Sequence, residues 1–179
     1  MKYNQILGFV LLMGVFVFFG CGDDDPTGPG VDGMFTATIS GDINKSLSGN
    51  AWFWSGVIEG ESGFVLWLFS EIDNEDIDDA IWFSREGTTR PGTGQYVISN
   101  YENWGEEGWN PQHFMAWYTG DETIVWSVSG SITLTTSTSN RVAGNFQFQA
   151  SGMSSQNQGN QISVTISGEF DAIGTNFNM

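Results

Sequence analysis

The stretch that decides the fold is residues 123–170, TIVWSVSGSITLTTSTSNRVAGNFQFQASGMSSQNQGNQISVTISGEF. Apolar and polar side chains alternate along three runs, which are separated by polar turn-forming segments at 137–141 and 151–160. A period of two with one polar side is typical of antiparallel strands that are half exposed to water. The stretch therefore predicts a three-stranded antiparallel meander.

The parity of these runs predicts which side chains face the core. Thr123 and Ser127 belong to the polar side of the first run, which is expected to face water. Glycine inside a strand marks a bulge or a bend, so three inward glycines predict a strongly curved sheet, either a barrel or a flattened sandwich. Those glycines are Gly130, Gly144 and Gly168, and the apolar side chains assigned to the core in the first run are Ile124, Trp126, Val128, Ile132 and Leu134.

Six further segments upstream have the composition of strands: 34–40, 46–58, 63–70, 80–84, 95–99 and 114–119. The second and third of these are almost continuously apolar, so parity does not assign their faces. No helical periodicity of useful length occurs after the N-terminal segment. We therefore predict an all-β domain over residues 34–179, built as a single antiparallel meander sheet of about nine strands.

The N-terminal segment has the features of an export signal. Residues 6–19 form an uncharged apolar run of 14 residues, shorter than the roughly 20 that a membrane-spanning helix needs. Gly20-Cys21 follows and resembles the lipobox of bacterial lipoproteins, which implies cleavage after residue 20 and lipid attachment at Cys21. Residues 21–33 continue as an acidic, Gly- and Pro-containing tether without enough apolar surface to fold.

A wider resemblance rests on this start together with the segments FTATISG (35–41), VSGSITLT (128–135), RVAGNFQFQASG (141–152) and VTISGEF (164–170). They resemble small Gram-negative lipoproteins that carry a calycin-like or sandwich-like β domain. The resemblance implies a lipid-anchored location in the cell envelope, most naturally the outer membrane, either periplasmic or surface-exposed. It implies no activity and no site.

Charge and composition exclude several classes of function. With 21 acidic and 5 basic side chains the net charge is −16, which disfavours binding to nucleic acid. One Cys and one His leave no disulfide framework and no Cys-based zinc site. His113, Glu106 and Glu107 have no accompanying catalytic motif, and no nucleotide-binding fingerprint occurs. We therefore expect neither enzymatic activity nor a cofactor.

An acidic segment at 71–79, EIDNEDIDD, contains six carboxylates. Calcium prefers such oxygen ligands, but the spacing is not that of an EF-hand and the turn glycine is missing. A solvated loop without a metal is the expectation, with calcium as the alternative.

All eight Trp lie between Trp52 and Trp126. Most are expected to fill the core or to form cross-strand pairs. The segment 100–113, NYENWGEEGWNPQH, is different because its aromatic rings are interleaved with turn-forming residues and have no strand face to cover them. We predict a ligand-binding site formed by Tyr101, Trp104, Trp109 and Trp117; the alternative is a lid that closes one end of the sheet.

These features predict a membrane-anchored, non-catalytic binding module for a glycan or an apolar ligand. The competing hypothesis is a structural or protein-interaction component of the outer membrane surface. An enclosed aromatic cavity would favour the first, whereas a filled core with an apolar exterior patch would favour the second.

Overall fold

The computed structural model describes residues 33–58, 61–70, 72–73, 76–77, 79–87, 90–120, 123–154 and 161–175. The predicted signal peptide, the predicted lipid attachment site Cys21 and the predicted tether up to residue 32 lie outside these residues. No helix within the described ranges is long and apolar enough to cross a bilayer. The strands are β1 (Met34–Gly41), β2 (Lys45–Ile58), β3 (Glu61–Phe69), β4 (Ile72–Asp73), β5 (Asp76–Ile77), β6 (Asp79–Glu86), β7 (Gly94–Ile98), β8 (Met115–Gly120), β9 (Thr123–Ser137), β10 (Arg141–Ser154) and β11 (Gln161–Gly174).

Eight of these strands form a closed antiparallel barrel in the order β1-β2-β3-β6-β8-β9-β10-β11. The ring closes because β11 pairs with β1 along its length, from Met34 opposite Asp171 to Gly41 opposite Val164. The predicted all-β meander is confirmed, and of the two architectures left open the barrel is the one formed. The two-residue strands β4 and β5 make a separate small hairpin within the acidic segment.

The ninth strand of the large sheet, β7, pairs with β9 along the same edge as β8 does, but at a different position. β8 pairs with the start of β9, from Gly120 opposite Thr123, whereas β7 pairs further along, with Ile98 opposite Gly130. A bridge between Ile98 and Phe114 joins the two short strands. Residues 99–113 therefore leave the barrel wall at this junction and return to it, which fixes the position of the aromatic segment.

The barrel interior is filled by apolar side chains contributed by all nine long strands. Large rings occupy much of it, among them Phe35, Phe64, Phe83, Phe114 and Phe148, each at most 2% exposed. Burial of this apolar surface is the main driving force of folding. The core explains why the alternating runs form strands: each contributes every second side chain to the interior.

One acidic residue of the segment 71–79 belongs to this interior. Asp79 begins β6 and is 5% exposed; it accepts hydrogen bonds from Lys45 Nζ at 3.0 Å and from Tyr118 Oη at 2.5 Å. Its second oxygen lies 2.7 Å from the same Lys45 nitrogen. The expectation that all six carboxylates are solvated is therefore wrong for Asp79. The side chains of residues 71–78 lie outside the described residues.

A β-bulge changes the parity of β9. Ser127 and Ser129 pair with the consecutive residues Ala150 and Gln149, so Val128 has no partner on β10. An extra residue moves every side chain beyond it to the other face. The assignment of Ile132 and Leu134 to the core is confirmed, and Gly130, opposite the core ring of Phe148, also faces inward.

Before the bulge the predicted faces are reversed. Ile124 and Val128 point outward and are 48% and 40% exposed, and Trp126 lies on the same outer side. Thr123 and Ser127 are buried instead. Ser127 Oγ accepts the backbone N–H of β8 residue 116 at 3.2 Å and donates to the carbonyl of residue 99 at 2.7 Å. Buried hydroxyl groups are tolerated here because they are hydrogen-bonded.

Candidate binding surface

Five tryptophans form a row on the outside of the barrel, one on each of five neighbouring strands. Directly opposite residues of antiparallel strands point to the same side of the sheet. Here every tryptophan of the row is paired with the next: 52 with 67, 67 with 82, 82 with 117, and 117 with 126. The aromatic row is defined as Trp52, Trp67, Trp82, Trp117 and Trp126.

The rings of Trp67, Trp82, Trp117 and Trp126 stack or tilt against one another, whereas Trp52 meets Trp67 edge-on, with centroids 5.8 Å apart and planes at 82°. Trp67 and Trp82 are nearly parallel, with centroids 4.7 Å apart and planes at 14°. Trp82 and Trp117 are 5.7 Å apart at 5°, and Trp117 and Trp126 are 5.6 Å apart at 36°. These spacings are close to the 4.7–4.9 Å between strands. The faces of the stacked indoles therefore cover each other: Trp67 is 6% exposed, and the other rings of the row are partly buried.

The row continues into the segment between β7 and β8. Tyr101 stacks on Trp126 with centroids 4.1 Å apart and planes at 24°. Trp104 contacts Tyr101 at 6.5 Å in an edge geometry, and its ring is parallel to that of Trp109 at 5.9 Å and 3°. We call Tyr101, Trp104 and Trp109 the loop end, and the row together with the loop end the aromatic face.

All four aromatic residues predicted for the site lie on this face. Trp117 is connected to Tyr101 through Trp126, which stacks against both. The rings of the loop end are partly buried rather than fully exposed, because each contacts another ring. Among the described residues, the loop-end rings are absent from the barrel core cluster. The geometry therefore places the loop end beside the barrel wall and not over the core.

Consecutive turns hold the loop end in place. Asn100 Oδ1 accepts the backbone N–H of Glu102 at 2.9 Å and begins a 3-10 turn over Tyr101–Asn103. Gly105 and Gly108 have φ of 67° and 91°, a region that side chains other than glycine rarely adopt. These glycines let the chain reverse between Trp104 and Trp109, which allows the two rings to stack.

His113 closes the segment by joining both of its ends. Its Nδ1 lies 2.7 Å from Ser99 Oγ, and its Nε2 lies 3.1 Å from Asn110 Nδ2. Asn110 Oδ1 is engaged by the N–H of Gln112, which identifies the group facing His113 as the amide donor. Nε2 therefore accepts, and in the neutral ring the proton is on Nδ1. With this tautomer His113 Nδ1 donates to Ser99 Oγ.

Arg85 lies beneath the segment at the end of β6. Its guanidinium carbon is 5.1 Å from the centroid of the Tyr96 ring and 5.9 Å from that of Phe114. Nη2 donates to Gln112 Oε1 of the loop. Its Nε and Nη1 are buried with no hydrogen-bond partner. These contacts make Arg85 the link between the core rings Tyr96 and Phe114 and the segment 99–113.

Aliphatic side chains extend the aromatic face along β9 and β10. Ile124 and Val128 flank Trp126 on the outer side. Met153 is directly opposite Ile124 and is 68% exposed. Contiguous exposed apolar surface on a water-soluble domain usually marks an interaction site. The described segments contain no group of three His, Cys, Asp or Glu side chains placed to hold a metal ion.

Sequence reasoning missed four members of the face, Trp52, Trp67, Trp82 and Trp126. A signal for them exists in their spacing from the turns. Trp52 and Trp67 each lie six residues from the pair Ile58–Glu61, and Trp67 and Trp82 each lie six residues from the pair Asp73–Asp76. Trp117 and Trp126 each lie three residues from the pair Gly120–Thr123. Equal distances from a two-residue turn predict direct pairing across a hairpin.

Comparisons with protein-family models, with curated proteins and with solved structures found no match to this chain. The aromatic face and its surroundings are therefore the basis for assigning a function.

Proposed function

We propose that this protein is a lipid-anchored, non-catalytic binding module of the bacterial cell envelope, and that it holds its partner on the aromatic face. The observation that carries the proposal is a row of paired tryptophans on the outer wall of a water-facing barrel. Trp67 packs with Phe69 and Ala80 in a small buried cluster outside the interior core, but the other rings of the row stay partly exposed, and contact with a partner is a reason for them.

The other side of the same barrel provides the contrast. Apart from Met153 near the end of β10, most outward side chains on β10, β11 and the second half of β9 are polar, as expected for a surface that meets only water. They include Asn145, Gln147, Gln149, Ser163, Thr165 and Thr133. Because one barrel carries both surfaces, the aromatic face is a local feature and not a general property of its exterior.

The filled interior argues for binding on the outside. Calycin-like binding proteins hold ligands inside the barrel, which requires an internal cavity. In the residues described here, the core is occupied by side chains such as Leu66, Ile81 and Phe83, each with no measurable exposure. An apolar ligand inside the barrel is therefore disfavoured, and the competing hypothesis of an interaction surface gains support.

The arrangement of the rings also bears on the kind of partner. Sugar rings bind to free aromatic faces, but the inner indoles of the row cover one another. A row across five strands is about 19 Å long at normal strand spacing, which suits an extended partner. The adjacent Ile124 and Met153 side chains favour a protein partner over a glycan, because aliphatic groups add apolar area without hydrogen bonds.

Intrinsic fluorescence offers a direct test, because seven of the eight tryptophans belong to the aromatic face. The full-length protein in detergent is titrated with neutral oligosaccharides, aliphatic ligands and short peptides. We expect one class to shift the emission, and Trp126→Thr, which disconnects the row from the loop end, to weaken that binding by about tenfold or more.

Trp54→Thr is the matched control, since Trp54 is also partly buried on β2 but lies outside the row. It is expected to leave binding unchanged. The proposal fails if no class binds, or if Trp126→Thr binds as wild type while retaining wild-type stability.

A further inference from the structure

We propose that the loop end binds a cationic polypeptide segment, one that carries exposed arginine or lysine side chains. This inference rests on the proposed function, because it names the partner class for one end of the aromatic face. It follows from the charge around the rings, from an unsatisfied indole N–H and from the net charge of the chain.

Carboxylates are interspersed with the loop-end rings along the same segment. Residues 100–113 contain three glutamates and no Lys or Arg. Glu102 follows Tyr101 in the sequence, Glu107 lies between Trp104 and Trp109, and both glutamates are exposed. Neither forms an ion pair within the described part of the chain. A guanidinium or ammonium group is attracted both to an indole face and to a carboxylate. The segment therefore offers a cation two favourable contacts at the same place.

The described basic side chains are engaged with groups other than Glu102 and Glu107, including Arg85 beneath the segment, which donates to Gln112. Lys45 pairs with the buried Asp79, and Arg141 with Asp171. Arg90 donates to Ser137 Oγ at 3.0 Å. In the residues that the structure describes, no basic side chain is therefore paired with Glu102 or Glu107. A partner would have to supply the cation.

An indole N–H supports a polypeptide over a simple cation. Trp109 Nε1 is buried and has no hydrogen-bond partner. Such a group lowers stability until it finds an acceptor. A peptide backbone supplies carbonyl oxygens, so a segment that displaces the side chains covering Trp109 Nε1 would provide acceptor and cation together.

The net charge of −16 opposes the other candidate partners. Anionic lipid, nucleic acid and a second copy of this chain would all be repelled at this surface. A neutral glycan would contact the rings but would gain nothing from the carboxylates. Cationic polypeptide is the class that uses every feature of the loop end.

The test uses two synthetic peptides with the full-length protein in detergent. One is a short Gly-Ser peptide containing several arginines; the other replaces each arginine by citrulline, which is neutral and has nearly the same shape. We expect the arginine peptide to bind about tenfold or more tightly than the citrulline peptide, and added salt to weaken it.

Variants assign the effect to the loop end. Glu102→Gln and Glu107→Gln should each weaken the arginine peptide about two- to fivefold, the range of an exposed ion pair. Glu169→Gln is the matched control, because it removes the same charge from the polar outer side of β11. It is expected to leave the affinity unchanged.

The outcomes separate this inference from the proposed function. Equal binding of both peptides, or no binding of the arginine peptide, overturns the cationic partner; so does an equal loss in Glu169→Gln, which would indicate attraction by net charge alone. If the wild type binds both peptides equally and Trp104→Ala with Trp109→Ala abolishes binding of both, the aromatic face stands and only the charge argument falls. If that double variant leaves binding intact, the proposed function falls as well.

Discussion

Replacing both loop-end tryptophans by alanine tests whether they form a binding surface or a lid. Trp104 packs against both Trp109 and Tyr101, and neither tryptophan belongs to the barrel core cluster of the described residues. A lid over the core would bury core residues, and its loss would cost the several kcal/mol of a buried Trp→Ala change. A loop-end pair beside the wall should cost less.

The magnitude follows from the contacts that disappear. Each aromatic pair contributes about 0.5–1.5 kcal/mol beyond area burial, and the double change removes the Trp104–Trp109 pair and the Trp104–Tyr101 pair. We therefore expect a loss of about 2 kcal/mol, or about 4–8 °C in Tm for a domain of this size. Trp67→Ala is the positive control: Trp67 is 6% exposed and contacts three rings, so it should cost about 3–5 kcal/mol.

Thermal unfolding followed by circular dichroism, with urea unfolding as a second measurement, gives both values. Matching denaturant slopes would show that the variants differ in stability and not in the extent of unfolding. A drop well above 10 °C for the double variant, equal to that of Trp67→Ala, would refute the surface argument. The loop end would then be a lid, and the binding proposal would lose its most accessible rings.

Three further predictions concern other parts of the chain. Asp79→Asn removes the carboxylate that pairs with the Lys45 ammonium and should lower the free energy of unfolding in urea by about 2–4 kcal/mol. Asp171→Asn, which breaks an exposed pair, should cost much less in the same experiment. Arg85→Met removes two buried N–H groups without partners, so stability should change by less than about 1 kcal/mol; a loss of 3 kcal/mol or more would contradict this. Cys21→Ala removes the single cysteine, so the protein should leave the membrane fraction; sedimentation at the wild-type level would contradict lipid anchoring.

The fold could be predicted from the sequence because strand periodicity survives in the C-terminal runs. Val142, Phe146 and Phe148 alternate with polar residues, and all three are buried as alternation requires. The face of Trp126 could not be predicted in this way. A bulge at Val128 reverses parity within a single strand, and a bulge has no reliable sequence signal when serine and glycine occur on both sides of it.

The site could be predicted in part, because its loop end lies in a segment without strand periodicity. The positions of Trp52 and Trp67 in the aromatic row could not be predicted from parity, because residues 46–58 and 63–70 are apolar on both faces. One face of these strands fills the barrel with residues such as Phe64 and Leu66, and the other carries Trp52 and Trp67. Parity alone cannot separate two apolar faces. Their equal distances from the hairpin turns could have done so.

Mutual stacking explains how an acidic, water-facing barrel can carry so many tryptophans on its wall. An inner ring such as Trp82 is covered on both sides by neighbours, so it stabilises the sheet and offers a partner little new area. A terminal ring has a neighbour on one side only, and Trp109 contacts Trp104 alone among the ring pairs of the described chain. A partner therefore gains most apolar burial at the ends of the face. The loop end is the end of the aromatic face whose segment also carries carboxylates. It belongs to residues 99–113, which leave the barrel wall, so a partner polypeptide can reach it.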